Sequence, residues 1–476
     1  MERVERVLWR CLLLCVPISA SPALPFGSGT LARPLAFIPA VLLLVLAGVR
    51  MTVLGQRPRL AARGFAELAL FTLYIAIGGM FVVLGGSDEA FKGQTPTDSL
   101  VRALLTWGVG LVFYLVARLH IRTSEDVRAT LRFLFVGMSA SIALAGLQVV
   151  AIVQGGDALR FVQVLTDLFA VHYDGLVTRA QGMTFEPSWL ATQIVVLLMP
   201  ALIARALSRQ DGPGAPAGPH FAPRLAGGFA VAVAGMLFCG SRFGLASMIA
   251  MLMLGGFLAA LRGRLMVAGL FVAVLLGGGA GLAVLSGVGS GAGASYVLDP
   301  VAALSGSADL GSADDPASAL TDALTLAGRA AAAEAAALTW LDHPWFGVSL
   351  GNNYRYFAAY APDWAFATQL FQSGAKEGAG WLDPNSPEKG NAKNLFLRLL
   401  SETGVIGFAL FALFCLRQIF QGPPGDSFHR YFRLISAVAL GFSFLNQDTF
   451  VDAGLWIPLV LCFAMNRGNR EGTASV

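Results

Sequence analysis

Twelve apolar runs recur along this chain, each near the roughly 20 residues that a helix needs to cross a bilayer. They fall at 11–28, 34–54, 65–85, 99–118, 133–154, 187–206, 225–241, 243–261, 265–286, 395–416, 434–447 and 449–466. Of the 476 residues, 56% are hydrophobic and 13% are charged, against about 25% charged in an ordinary soluble domain. That composition argues against a soluble enzyme, a nucleic-acid binder or a disordered scaffold. The expected fold is an all-α polytopic membrane protein of about twelve transmembrane helices.

The basic residues are segregated. Arg3, Arg6 and Arg10 precede the first run, Arg50, Arg57, Arg59 and Arg63 follow the second, and Arg118, Arg122, Arg128 and Arg132 follow the fourth. Arg205, Arg209 and Arg224 follow the sixth, Arg262 and Arg264 the eighth, Arg417, Arg430 and Arg433 the tenth, and Arg467 and Arg470 the last. Short loops rich in Arg and Lys stay in the cytoplasm, so both termini are expected there. The start also resembles a signal peptide, with Ser19-Ala20-Ser21 as small residues near a cleavage point. Pro22, Pro25 and the run to Phe26 extend the segment and favour an uncleaved helix, and the parity of the later helices is the same either way.

Three parts follow: 1–286 with nine helices and an outer loop at 155–186, a large outer loop at 287–394, and 395–476 with three more helices and a cytoplasmic tail. The large loop opens Gly/Ser/Ala-rich and continues as an Ala-rich helix from about Pro316 to Leu341. Trp345, Tyr354, Tyr356, Tyr360, Trp364 and Trp381 then provide rings that could stack on sugars or fold the loop on itself. Long loops in compact domains are commonly functional. The cysteines, Cys11, Cys15, Cys239, Cys415 and Cys462, all lie in apolar runs and read as packing residues rather than a disulfide or zinc framework. No Walker, Rossmann, zinc or Asp-x-Asp motif is present, so neither a metal nor another cofactor is expected.

The informative residues are those that break the charge rule. Arg179 lies in Arg179-Ala-Gln-Gly182-Met-Thr-Phe-Glu186-Pro187-Ser188, with Pro187 suited to a first helical turn and Glu186 to the positive end of the helix dipole. Arg242 falls in the tight turn Gly240-Ser241-Arg242-Phe-Gly244, and Lys393 opens the tenth run beside Asn394. A cation at bilayer depth costs about 2.5–3.5 kcal/mol on insertion scales. Three cations converging at the outer boundary would suit a phosphate-bearing lipid, since Arg forks match phosphate oxygens; each alone could instead snorkel to headgroups. Glu402, four residues after Arg398, reads as an internal ion pair. Gly404 and Gly407 read as close-packing positions, and Asp448 and Asp452 as caps of the last helix. His343, in Asp342-His343-Pro344-Trp345-Phe346-Gly347, reads as the end of the Ala-rich helix.

Taken together, residues 179–456 resemble the O-antigen polymerase and O-antigen ligase superfamily, bacterial membrane glycosyltransferases of the C type. The resemblance rests on Arg179-x-x-Gly182 with Glu186-Pro187-Ser188, Ser241-Arg242-x-Gly244, Gly328-Arg329, His343-Pro344-x-x-Gly347-Val348 and Asn394…Glu402-x-Gly404-x-x-Gly407. It implies metal-independent, inverting transfer of a glycan from undecaprenyl diphosphate at the periplasmic face of the inner membrane. The implied partners are the lipid-linked oligosaccharide, membrane lipid, a chain-length regulator and a flippase, with no nucleic acid. Arg179, Arg242 and Lys393 would be catalytic and hold the diphosphate, with Asn394, Arg329 and His343 on the glycan and Glu186 or Asp448 orienting the acceptor hydroxyl. Ligases of this group carry a His before the Asn. Here that position is Lys393, a poor general base unless its pKa is drawn well down, which favours a polymerase over a ligase. A polyprenol-linked glycan or solute transporter is the alternative from another class.

Overall fold

The computed structural model describes residues 1–24, 32–55, 64–85, 89–170, 179–208, 221–288, 316–363, 381, 389–421 and 427–464. Among them the architecture is helical and contains no named strand, only two isolated bridges, Ala20 with Arg33 and Phe91 with Gln94. In chain order the helices are α1 (Glu2–Cys15), α2 (Phe37–Val53), α3 (Phe65–Leu84), α4 (Pro96–His120), α5 (Ser124–Gln154) and α6 (Gly156–Asp167). Then come α7 (Pro187–Ser208), α8 (Phe221–Cys239), α9 (Arg242–Leu261) and α10 (Leu265–Val288). The chain continues with α11 (Pro316–Asp342), α12 (Leu395–Phe420), α13 (Ser427–Asn446) and α14 (Ala453–Ala464).

Six of these helices, α3, α4, α5, α7, α9 and α12, are long and apolar enough to cross a membrane; four shorter apolar stretches lie in α2, α8, α10 and α14. The first expected span, 11–28, is corrected: helix ends at Cys15, because Pro17 brings no backbone N–H to continue it. The expected run 449–466 also begins later, since residues 447–452 are not helical and α14 starts at Ala453. Helix starts are locally encoded where the sequence allows. Thr95 with Asp98 and Thr123 with Asp126 form reciprocal capping boxes at α4 and α5, each cap adding about 1 kcal/mol.

Burial sorts the helices into a centre and a rim. In α7, 83% of the apolar window is buried, against 28% in α3. Leu70, Leu73, Met80, Phe81 and Leu84 of α3 and Leu265, Met266 and Leu276 of α10 are exposed, the outward apolar faces that a bilayer would cover. Between them Phe71, Trp107, Phe411, Phe450 and Trp456 pack edge to face. Of the cysteines, Cys239, Cys415 and Cys462 are buried packing residues as expected, whereas Cys11 is exposed and Cys15 half-buried; none is in a disulfide.

Helix ends meet in two groups. At one end Arg50 of α2 bonds Glu5 of α1 at 2.7 Å, Arg417 of α12 pairs with Glu67 of α3, Arg264 bonds the Leu207 carbonyl, and Arg118 lies 3.7 Å from the centre of the Phe463 ring. This is the basic end. The opposite end gathers the C-terminus of α5, the N-termini of α4, α7, α9 and α12, and the described part of the 287–394 loop.

That loop is held by a broken helix. Gly404, inside α12, has φ +64 and interrupts the helix, rather than merely easing packing as the sequence suggests. The freed N–H groups of Val405 and Ile406 donate to the carbonyls of Pro344 and Trp345, at 2.8 and 3.5 Å, and Val348 N–H donates to the Ser401 carbonyl at 2.9 Å. Tyr74 of α3 donates to the Thr403 carbonyl at 2.7 Å. Gly407 is a close-packing position as expected, since a Cβ there would lie 2.7 Å from the Tyr74 ring of α3. The loop rings mostly fold the loop upon itself. Tyr354 is buried with its hydroxyl 2.9 Å from Ser99 Oγ, Phe357 packs on Trp381, and Tyr360 bonds Asp342. Trp364 lies outside the described residues.

Two outcomes test this description. Gly404→Ala forces an L side chain to positive φ and toward the Trp345 carbonyl, with an ideal Cβ only 2.2 Å from that oxygen. It should destabilise by about 2 kcal/mol or more, read as a lower melting temperature in detergent, while Gly108→Ala, with open space around it, should be near neutral. Lys389 lies 5.2 Å from the centre of the Tyr354 ring. Burial, then the charge of Arg102, with Arg355 adding, hold its ammonium from 10.5 down to about 8 against the opposing pull of Asp98. Its charged form therefore opposes loop docking below pH 8, and the opposition is lost as pH rises from 8 to 10.5. Methyl-lysine NMR should show the depressed titration, and a midpoint at the ordinary value would contradict this account.

Candidate functional site

The segment carrying Arg179 is positioned by residues far away in sequence. Gln148, fully buried in α5, uses its whole amide: Oε1 accepts from the N–H of Gln181 at 2.9 Å and of Gly182 at 2.8 Å. Its Nε2 donates to the Gly182 carbonyl and to Thr166 Oγ1, both at 3.0 Å. Met183 N–H donates to Ser141 Oγ at 3.0 Å and Phe185 N–H to Ser19 Oγ at 2.7 Å. Gly182 has φ +60, and a Cβ there would lie 2.5 Å from the Ser141 carbonyl oxygen, so only glycine fits. Arg179 is half-buried and lies two residues before the Gln181 N–H that Gln148 holds. Pro187 is the first residue of α7, as expected. Glu186 precedes it without capping the helix by its side chain; its carboxylate instead accepts from Ser188 Oγ at 3.0 Å.

The second basic segment abuts the first. Gly240 takes φ +55 at the turn, and Ser241 caps α9 by accepting from Gly244 N–H at 3.2 Å. Arg242 is thereby the first residue of α9, where its charge faces the positive helix end rather than being favoured by it. A Cβ at Gly244 would lie 2.5 Å from Ala191 Cβ, which sets α9 against α7 one residue from Thr192.

Thr192 is the bridge to the third segment. Its hydroxyl accepts from Asn446 Nδ2 and Gln447 Nε2, each at 3.4 Å. Asn446 Oδ1 in turn accepts from Arg329 Nη1 of α11 at 3.0 Å. Asp448 is not a helix cap, correcting the sequence expectation: α14 begins five residues later, and the Asp448 carboxylate accepts from Lys393 N–H at 3.2 Å. Asp452 does cap α14, accepting from Gly454 N–H at 2.8 Å. The Arg398–Glu402 pair forms as expected, at 3.1 Å, with Glu402 buried. Arg398 also bonds the Asp448 carbonyl and lies over the Phe450 ring. Removing either partner would strand a buried charge, which costs several kcal/mol.

The arrangement is thus a polar junction, buried at Thr192, Gln193, Asn446 and Asp448 and half-buried at Gln447 and Arg398, bordered by three further half-buried cations, Arg179, Arg242 and Lys393. Lys393 itself sits at φ +47. Asn394 caps α12, its Oδ1 accepting from Phe396 and Leu397 N–H at 3.0 and 3.2 Å, so that oxygen is committed to the helix. His343 follows the last residue of α11, as read from sequence, with its ring edge-on to Tyr356. Fourteen residues of helix, about 21 Å, separate it from Arg329, and it leads into the turn whose Pro344 and Trp345 carbonyls accept from Val405 and Ile406. Among the described residues, no cluster of three or more His, Cys, Asp and Glu could hold a metal ion.

Sequence reasoning missed Gln148, Ser141, Ser19, Thr192, Gln193 and Asn446. The available signal was an uncharged polar side chain inside an apolar run, which needs a partner when buried away from water. A five-residue π-helical stretch, Ile194–Leu198, follows directly on Gln193 in α7; such bulges commonly mark functional positions. No protein-family model matches the chain, and no curated protein matches it.

The Gln148 clamp makes a direct prediction. Gln148→Leu removes the four hydrogen bonds above and leaves the Gln181–Gly182 backbone groups without them, each worth about 1 kcal/mol or more when buried. The variant should be cut by trypsin after Arg179 at least tenfold faster than the parent chain; equal rates would show that the clamp does not hold the segment.

Proposed function

We propose that this protein polymerises lipid-linked oligosaccharide repeat units of an O-antigen, capsule or exopolysaccharide. The glycan would pass from undecaprenyl diphosphate to an acceptor sugar hydroxyl at the periplasmic face of the inner membrane. The observation that carries the reading is the grouping of the Arg179, Arg242 and Lys393 segments about one polar junction, at the end of the bundle remote from the basic connections. The motif order that resembles the O-antigen polymerase and ligase superfamily supports it.

In this mechanism Arg179 and Arg242 bind the donor diphosphate and offset the charge that grows on it as it leaves. A diphosphate leaving group needs no acid to protonate it. The acceptor hydroxyl attacks the anomeric carbon from the opposite face, the bond to the diphosphate oxygen breaks, and the hydroxyl proton passes to Glu186 or Asp448. Lys393 holds the acceptor's own diphosphate, and Arg329, fixed by Asn446, presents α11 over the glycans so that water is kept from the reacting carbon.

The ligase reading shares this chemistry and differs in the acceptor; Lys393 in place of His counts against it. A transporter is the reading that the broken helix α12 favours, because transporters use interrupted helices at their binding sites near the midplane. Here the Val405 and Ile406 N–H groups freed by the interruption are already bonded to the Pro344 and Trp345 carbonyls, which counts against their serving a substrate.

Deleting the gene and sizing lipid-linked and surface glycans separates the three. A polymerase predicts loss of long chains with single repeat units still exported. Long chains stranded on undecaprenyl diphosphate would point to a ligase, and repeat units trapped inside to a transporter. Arg179→Ala and Arg242→Ala should each abolish chain extension at normal protein levels; full-length polymer from both would sink the assignment of the diphosphate clamp.

A further inference from the structure

The turn that fills the α12 break has an outer face that the site does not use. Its backbone is tied down at Pro344, Trp345 and Val348, yet Trp345 is 65% and Phe346 69% exposed. Two adjacent large aromatic side chains are held outward on an immobilised turn. Leu341 and Leu338 at the end of α11, and Val405 and Ile406 just beyond the break, are exposed next to them in the chain or in the backbone pairing. The patch is therefore contiguous, and it contains no charged residue on the turn itself.

Its level along the bundle follows from contacts. A Cβ at Gly351 would lie 2.6 Å from the Ser99 carbonyl oxygen, and one at Gly347 would lie 2.4 Å from the Glu402 carbonyl carbon. Glu402 and the turn are thus level with the first turn of α4. Gly79 of α3 lies against Leu100 of that same turn, and from Gly79 to the end of α3 at Leu84 is about 8 Å of helix. Above and below this level α3 exposes Ile77, Met80, Phe81 and Leu84, the apolar rim already described. Trp345 and Phe346 continue that rim just inside its outer border. Such depth is where Trp is favoured at membrane–water boundaries.

We propose that the Pro344–Gly347 turn is a membrane anchor, with Trp345 and Phe346 seated among the lipids of the outer boundary. The anchor fixes the end of α11 opposite Arg329, so that the helix over the polar junction is held both by the bundle and by the bilayer. The proposal does not depend on what the junction binds.

Of the eight tryptophans, Trp9, Trp107, Trp189, Trp381 and Trp456 are buried and Trp340 is half-buried, and a difference spectrum isolates Trp345 from all of them. The experiment compares the full chain with Trp345→Phe, both reconstituted in phosphatidylcholine/phosphatidylglycerol vesicles. The difference emission should be blue-shifted and reduced roughly twofold or more by lipids brominated near the ester end of the acyl chain, less by those brominated near the methyl end, and little by aqueous iodide. Quenching by iodide instead would place the turn in water and overturn the proposal. Quenching by neither would place Trp345 against protein, as in a second copy docking there, and would also overturn it. A photo-crosslinking benzoylphenylalanine in place of Phe346 gives an independent reading that keeps Trp345: adducts to lipid support the anchor, and adducts to protein alone reject it.

Discussion

Away from water, every backbone N–H and C=O must find its partner inside the protein, and the end of this bundle that carries the polar junction is organised by that demand. The chain leaves helical geometry there at Gly182, Gly240, Gly404 and residues 447–452. At each place a named group takes over: the Gln148 amide, Ser141 and Ser19 for 181–185, Ser241 for the start of α9, the Pro344 and Trp345 carbonyls for the gap after Gly404, and Arg398 for the Asp448 carbonyl. The irregular backbone is therefore not loose. It is held by the hydrogen bonds just named, and it is what sets the heights and spacings of the polar side chains.

The same arrangement explains how charge is tolerated. The buried Arg398–Glu402 pair neutralises itself within one turn of helix, and Arg398 has donors left over for the Asp448 carbonyl. Immediately around Thr192 the junction is made of neutral amides and a hydroxyl, which cost less to bury than ions when they are hydrogen-bonded, and its charged members are bonded, Asp448 to the Lys393 N–H and Arg398 to Glu402. Arg179, Arg242 and Lys393 sit at its margin, half-buried, where an anionic ligand could be met without first paying to dehydrate a buried cation. This division between an interior whose polar groups are bonded to one another and a cationic border is the electrostatic basis of the proposed diphosphate clamp.

Much of this was legible in the residues. Apart from 11–28 and the start of 449–466, the long apolar runs fall on helices, and Pro187 at a helix start, Arg242 after a turn, the Arg398–Glu402 spacing and the end of the Ala-rich helix near His343 appear where the sequence put them. Each depends on neighbours within about one or two helical turns, which is the range over which local chemistry decides. The early end of α1 could also have been read, from Pro17, but the apolar run around it masked the signal. Gly404 could not be distinguished from a packing glycine: its positive φ exists only because a segment some sixty residues earlier supplies the missing carbonyls.

The sequence by itself thus determined the helical character of the chain, the presence of runs long and apolar enough to cross a membrane, the segregation of its basic residues and the identity of the polar residues that defy that segregation. Hydropathy, helix caps and charge are properties of residues and short windows, so no fold is needed to see them. Only the tertiary structure decided that Gln148 grips the Arg179 segment, that Thr192 joins it to Asn446 and Asp448 by way of Gln447, and that His343 lies a helix length from Arg329. Those pairings join residues that are far apart in the chain, and they are chosen by the requirement that buried polar groups be satisfied by whatever the packed bundle brings within reach.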